Sequence, residues 1–229
     1  MISMGLSTMG SSSACIFRDG KLLFAVEEER LSRIKNDASF PVLSIKECLL
    51  RTNISIKEVN YICIYWQPYR FIGRSFSFAK KIITSPYFLK FYLKRIYTAI
   101  FSKSNIGKYS DFNGRWLDLF IIKKIIIKNI GNFRGKIKFT DHHLSHQFYC
   151  EALSSKNKSI NLSFDGGGEN YSTKITLIEN EKIKILKNIK WPNSLGHFYS
   201  YFTGFLGFKM LEGEYKMMGL APYGEAKYL

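Results

Sequence analysis

Three of the four histidines in this chain fall within five positions, at His142, His143 and His146. His142 and His146 are four apart, so a helix would set both imidazoles on one face. Asp165 follows nineteen residues after His146 and closes the apolar run Ile160-Asn161-Leu162-Ser163-Phe164. That run reads as a buried strand. Two imidazoles and a carboxylate from a strand end are a set with which proteins hold a metal ion. Gly166, Gly167 and Gly168 come next, and glycines free the backbone to approach a phosphate or other ligand. Each half also has a plainer reading. A pair of histidines at this spacing also occurs in packing or on a surface, and Asp-Gly-Gly-Gly also makes hairpin turns. The zinc-protease pattern HExxH is excluded, because His143 stands where its Glu general base would be. His143 faces about 100° away from His142 on a helix, so its replacement is expected to leave the metal in place.

Composition bounds the rest. At 229 residues the chain fits one or two small domains, and 46% hydrophobic with 16% aromatic residues is enough to bury a core. Cys15, Cys48, Cys63 and Cys150 are dispersed with no CxxC pair. That argues against a disulfide framework or zinc ribbon and for a reducing, cytoplasmic compartment. The first residues carry no basic segment followed by a long apolar one, so no signal peptide is expected. The net charge of +16 reads mainly as composition, since Lys and Ile are abundant throughout. A basic phosphate-substrate site contributes a smaller part, and no nucleic acid is expected as a partner.

The elements that must position these residues follow from pattern. Short apolar runs at 1–6, 13–17 and 22–26 flank an Asp19-Gly20 turn, which predicts antiparallel strands. Pro41 opens a helix carrying Val42, Ile45, Cys48 and Leu49. A strand is expected at 59–65. Residues 69–135 are aromatic and basic and are expected to form amphipathic helices capping the core. The lysines in 119–128 break any apolar run long enough to span a membrane, so membrane association is not expected. A strand at 136–139 leads into the His helix, about 142–153. Further strands are expected at 159–164, 173–178 and 183–189, and Ser194 caps a last helix. Strands in a hairpin followed by alternating helix and strand suit a mixed α/β, ribonuclease H-like sheet of the actin, Hsp70 and sugar kinase superfamily. In such sheets ligands bind at the carboxyl ends of strands.

Five blocks in order now carry a resemblance. They are Gly5-Leu6-Ser7-Thr8; Glu27 to Asp37 with Phe40-Pro41; His142-His143-Leu144-Ser145-His146; Asp165-Gly166-Gly167-Gly168-Glu169; and Glu212 to Gly224. Together they resemble the amino-terminal domain of the carbamoyltransferases that modify antibiotics and nodulation factors. The resemblance implies a metal, expected to be iron, held by His142, His146 and Asp165. It implies substrate and nucleotide contacts from Ser12, Arg33, Lys35, Gly166, Gly167, Gly168 and Lys216. It further implies a YrdC-like domain that makes carbamoyl-adenylate from carbamoyl phosphate and ATP, and transfer of the carbamoyl group to the hydroxyl of a small-molecule acceptor. Such a family carries His-Asp where this chain has Ser11-Ser12, and Ser cannot act as the general base near neutral pH. By this reading residues 1–229 are the first lobe, with 69–135 as a cap insertion. The second lobe and the YrdC-like domain are then expected from elsewhere, in cis or in trans. The alternative is a non-catalytic metal- and nucleotide-binding remnant or partner subunit of a split enzyme.

Overall fold

Asp19 and Gly20 both take positive φ, 51° and 80°, the backbone of a tight two-residue hairpin turn. The turn joins β2 (Ser13–Arg18) to β3 (Lys21–Glu27), after β1 (Ile2–Ser7) has opened the meander. In the computed structural model of the chain, residues 1–8, 11–70, 116–154, 157–180, 182–210 and 213–227 are described, together with residues 89, 90, 93 and 97. They fall into two compact units, Met1–Asp141 and His142–Leu229.

In the first unit, β1 pairs antiparallel with β2 and parallel with β4 (Tyr61–Ile64), which pairs parallel with β5 (Lys136–Phe139). The order β3-β2-β1-β4-β5 is that of a ribonuclease H-like sheet. Period-two alternation sends Met4, Leu6, Ala14, Ile16, Ile62 and Ile64 to one face. There they join one apolar cluster with Ile45 and Cys48 of helix α2 (Val42–Thr52) and Ile122, Ile125 and Ile126 of α3 (Ile122–Asn129). The stretch 119–128, expected in the cap, thus enters the core of the sheet. The rest of the expected cap lies largely outside the described residues. Short helix α1 (Glu28–Ser32) leaves β3 with Glu28 buried. The Glu28 carboxylate accepts hydrogen bonds from Leu43 N, Ser44 N and Ser44 Oγ at 2.6–2.9 Å. It serves as the anion at the amino terminus of α2, where the backbone offers only donors; Pro41 stands at the cap and has no side-chain oxygen to give.

The second unit has its own sheet. Helix α4 (His142–Leu153) is followed by β6 (Lys158–Phe164), β7 (Tyr171–Glu179) and β8 (Lys182–Lys190), antiparallel in the order β6-β7-β8. Helices α5 (Leu195–Phe205) and α6 (Glu214–Leu220) complete it. The strands read from sequence as parts of one lobe are therefore divided between two sheets. On β6, Ser159, Asn161 and Ser163 alternate with the exposed Ile160, Leu162 and Phe164. All four cysteines are free thiols; only Cys150, on α4, is exposed. No helix among the described residues is long and apolar enough to cross a membrane.

Candidate metal centre

Helix α4 starts at His142, whose amide donates to both carboxylate oxygens of buried Glu169 at 3.3 Å. That fixes the first turn and turns the His142 ring toward the end of β6. Its Nε2 lies 2.7 Å from Asp165 Oδ2. One helical turn on, His146 Nε2 lies 3.3 Å from His142 Nε2 and 3.6 Å from the same carboxylate oxygen. The three ligand atoms all lie within 4.8 Å of one another. Two imidazole nitrogens bound about 2.1 Å from a tetrahedral ion stand roughly 3.4 Å apart, so the spacing of the rings already fits a shared metal. His142 is nearly buried, whereas the side chains of His146 and Asp165 are 55% and 43% exposed. The site is thus closed on one side and open to a further ligand on the other.

Hydrogen bonds from His142 and then His146 hold the Asp165 carboxyl well below the usual carboxylate range, against the opposing effect of burial. The same bond to Asp165 raises His146, against desolvation. Asp165 is accordingly an anion at any ordinary pH, the form a metal requires. Its backbone is held from two directions. Asp165 N donates to Ser172 O at 2.9 Å, and Ser194 Oγ donates to Asp165 O at 2.7 Å. Ser194 also caps α5 by accepting from His197 N at 3.0 Å.

The glycines expected to admit a ligand are used by the protein's own rings. A Cβ on Gly168 would meet His143 Cδ2 at 3.0 Å and His142 Cβ at 3.2 Å. On Gly167 it would meet Trp191 Cδ1 at 2.6 Å, and on Gly166 the His197 ring at 3.1 Å. All four histidines of the chain therefore gather around the 165–168 turn. Sequence reasoning missed His197 and the role of Glu169. Scarcity of histidine was the available signal for His197, and Glu169 carried none beyond its adjacency to the glycines.

The structure brings His142, His146, Asp165, Gly166, Gly167 and Gly168 together in the second unit. Lys216 lies in that unit too, exposed on α6. Ser11, Ser12, Arg33 and Lys35 belong to the first unit. Ser12 is buried, with its amide donating to Asp37 O and its carbonyl accepting from Glu28 N, both at 2.8 Å. Arg33 ends α1 in a left-handed conformation, and exposed Lys35 pairs with Glu29 at 3.2 Å. Glu212 lies outside the described residues.

Residues 3–229 match the family described as carbamoyltransferase N-terminus. An uncharacterized protein of Synechocystis sp. is 34% identical over 226 residues, covering 95% of this chain and 34% of its own length. Nodulation protein NolNO of Sinorhizobium fredii is 29% identical over 219 residues, covering 95% of this chain and 28% of its own. The chain thus spans about a third of the length of the curated relatives it matches. Among solved structures, YeaZ from Pseudomonas aeruginosa is similar over 81% of this chain and 64% of its own, with a TM-score of 0.39 at 7% identity.

Proposed function

We propose that this chain, which belongs to the carbamoyltransferase amino-terminal family, holds the metal centre of an O-carbamoyl transfer to an acceptor hydroxyl. The observation that carries the reading is the His142–His146–Asp165 trio, with its two ring nitrogens 3.3 Å apart on one anionic oxygen. These residues fit a divalent ion, and iron is the ion the family resemblance suggests. When bound, such an ion polarises the oxygens of a carbamoyl or phosphate group where charge develops. The chain's own residues do the rest of the work at this centre. Asp165 supplies the negative charge, Glu169 fixes the first turn of α4, and Ser194 anchors the Asp165 backbone. Carbamoyl-adenylate, made from carbamoyl phosphate and ATP by a YrdC-like domain in cis or in trans, is the donor in this reading.

One observation favours a second reading, a metal- and nucleotide-binding part without chemistry of its own. Ser11-Ser12 replaces the expected base, and Ser12 is locked in backbone hydrogen bonds. Loss of general-base help costs on the order of 10²–10⁴ in rate.

Two experiments test these readings. Metal analysis of purified protein is expected to show iron or another divalent ion, lost in the His142→Ala/His146→Ala double variant. Equal metal in both would reject the centre. The protein is then incubated with carbamoyl phosphate, ATP, ferrous iron and a panel of hydroxylated acceptors, with and without an added second lobe carrying its YrdC-like domain. Carbamate ester only with that domain supports transfer; none in either case, with metal bound, supports the non-catalytic reading.

A further inference from the structure

Beneath the metal ligands, α4 presents a second row to the sheet. His143 and Gln147 are four apart, each 1% exposed, and they meet Ser163 of β6 and Thr176 of β7, both buried. Hydrogen bonds join them into one network. Thr176 Oγ1 donates to Gln147 Oε1 at 3.0 Å, and Gln147 Nε2 donates to Lys174 O at 2.9 Å and to Ser163 Oγ at 3.2 Å. Ser163 Oγ lies 3.0 Å from His143 Nδ1 and 3.4 Å from Lys174 O, and His143 Nε2 donates to Tyr171 O at 2.9 Å. A carbonyl can only accept, so this last contact assigns a proton to Nε2; in the neutral ring Nδ1 then accepts from Ser163.

The seam ends where the metal ligands are set. Tyr171 O also accepts from Gly168 N at 2.7 Å, and Gly168 packs against both His142 and His143. The His143 ring thus ties the helix bearing two ligands to the 165–171 loop bearing the third. An apolar interface would let α4 slide or rotate on the sheet at little cost. A buried polar network is satisfied in one register and leaves costly orphans in others. A rotation small enough to keep the helix packed would still move two ring nitrogens off one carboxylate oxygen.

We propose that His143 is a positioning residue for the metal centre: through Ser163, Gln147 and Tyr171 O it fixes the separation of His142 and His146 from Asp165 without touching the ion. The inference rests on the metal reading above. It also reverses the expectation from spacing alone, that replacing His143 spares the metal.

Cobalt(II) titration, followed by visible absorption, compares the parent chain with His143→Leu, His143→Gln and Ser163→Ala. Leu fills the space without hydrogen bonds, whereas Gln keeps a donor for Tyr171 O. Leu is expected to weaken cobalt binding by about 10- to 100-fold, as loss of a supporting shell does, with Gln recovering most of it. Ser163→Ala, which keeps the fold if Leu does not, is expected to weaken binding several-fold. Parent-like affinity in the folded Leu or Ser163→Ala variant overturns the proposal. So does an equal loss in Leu and Gln that merely follows their melting temperatures. Long-range imidazole ¹⁵N–¹H spectra give a metal-free readout. His143 is expected as the Nε2–H tautomer, and the His142 and His146 signals are expected to shift in the Leu and Ser163→Ala variants. A parent that binds no cobalt but shows these shifts rejects the metal reading and keeps the positioning; unchanged His142 and His146 signals overturn the positioning itself.

Discussion

Asp37 is buried, with Oδ1 accepting from Ser39 N at 2.9 Å. Burial pushes its carboxyl up, but hydrogen bonds from Ser32 and Ser39 outweigh this and bring it below the ordinary value. A carboxyl lowered in the folded state adds stability above its unfolded value of about 3.9, and that stability is lost as pH falls through the folded value. Asp37→Asn is therefore expected to flatten the acid limb. The parent's urea midpoint should fall more steeply than the variant's between about pH 5 and 3, and equal slopes would reject the assignment. Residue type and spacing made His142, His146 and Asp165 legible in the sequence, because a scarce residue recurred at helical spacing before a strand end. His197 and Glu169 were not legible. Their parts depend on the chain returning through space to the 165–168 turn, and no local pattern encodes that return. The glycines were legible as special positions, but what fills the space above them was not.

At the scale of elements, the cap of α2 shows how a charged sequence can be structural. Three adjacent glutamates would suit a solvated face, yet Glu28 is 1% exposed and accepts three hydrogen bonds from residues 43 and 44. Glu28→Ala leaves one buried and one partly buried amide without that partner and is expected to destabilise the first unit by about 2–3 kcal/mol, read as a lower urea midpoint. A change under about 0.5 kcal/mol, typical of surface sites, would show the cap to be replaceable by water. The Asp19-Gly20 hairpin was readable because positive φ at two positions demands such residues. The helix at 142–153 was readable from the four-residue spacing of His142 and His146 between two strand-like runs. The stretch 119–128 was read as helical but placed in a cap, because amphipathic spacing reveals a buried face without revealing what it is buried against.

For the whole molecule, the two units differ in what holds them. Every member of the apolar core cluster lies between Met4 and Phe133. Among the described residues of the second unit, Ile178 is the one fully buried hydrophobic side chain, while Phe198, Phe202 and Phe205 of α5 are exposed. Burial of apolar surface is the main driving term in folding, so the second unit relies more on its polar seam. Its amides are expected to exchange with deuterium faster than those of Met4 or Ile62. Cobalt should then slow exchange in α4 and residues 164–172 while leaving β1 and β4 unchanged. Uniform slowing across both units would contradict this. The division into two sheets was not legible, because pairing of β1 with β4 and of β4 with β5 joins residues far apart in sequence. Strand-forming runs show where strands are and not which neighbours they take.

The distribution of thiols gives the molecule a built-in optical handle. Burial pushes the Cys15 and Cys63 thiols up and takes Cys48 to about 12, which keeps all three protonated and unreactive near neutral pH. Cys150 is exposed, two turns beyond His142 on the same helix. A maleimide fluorophore at neutral pH is expected to form a single adduct by intact mass, lost in Cys150→Ser. Carried on α4, that dye would report ion uptake at the histidines as a change in emission, with no mutation anywhere else in the chain. A second rapid adduct would show that one of the sheet thiols opens to solvent.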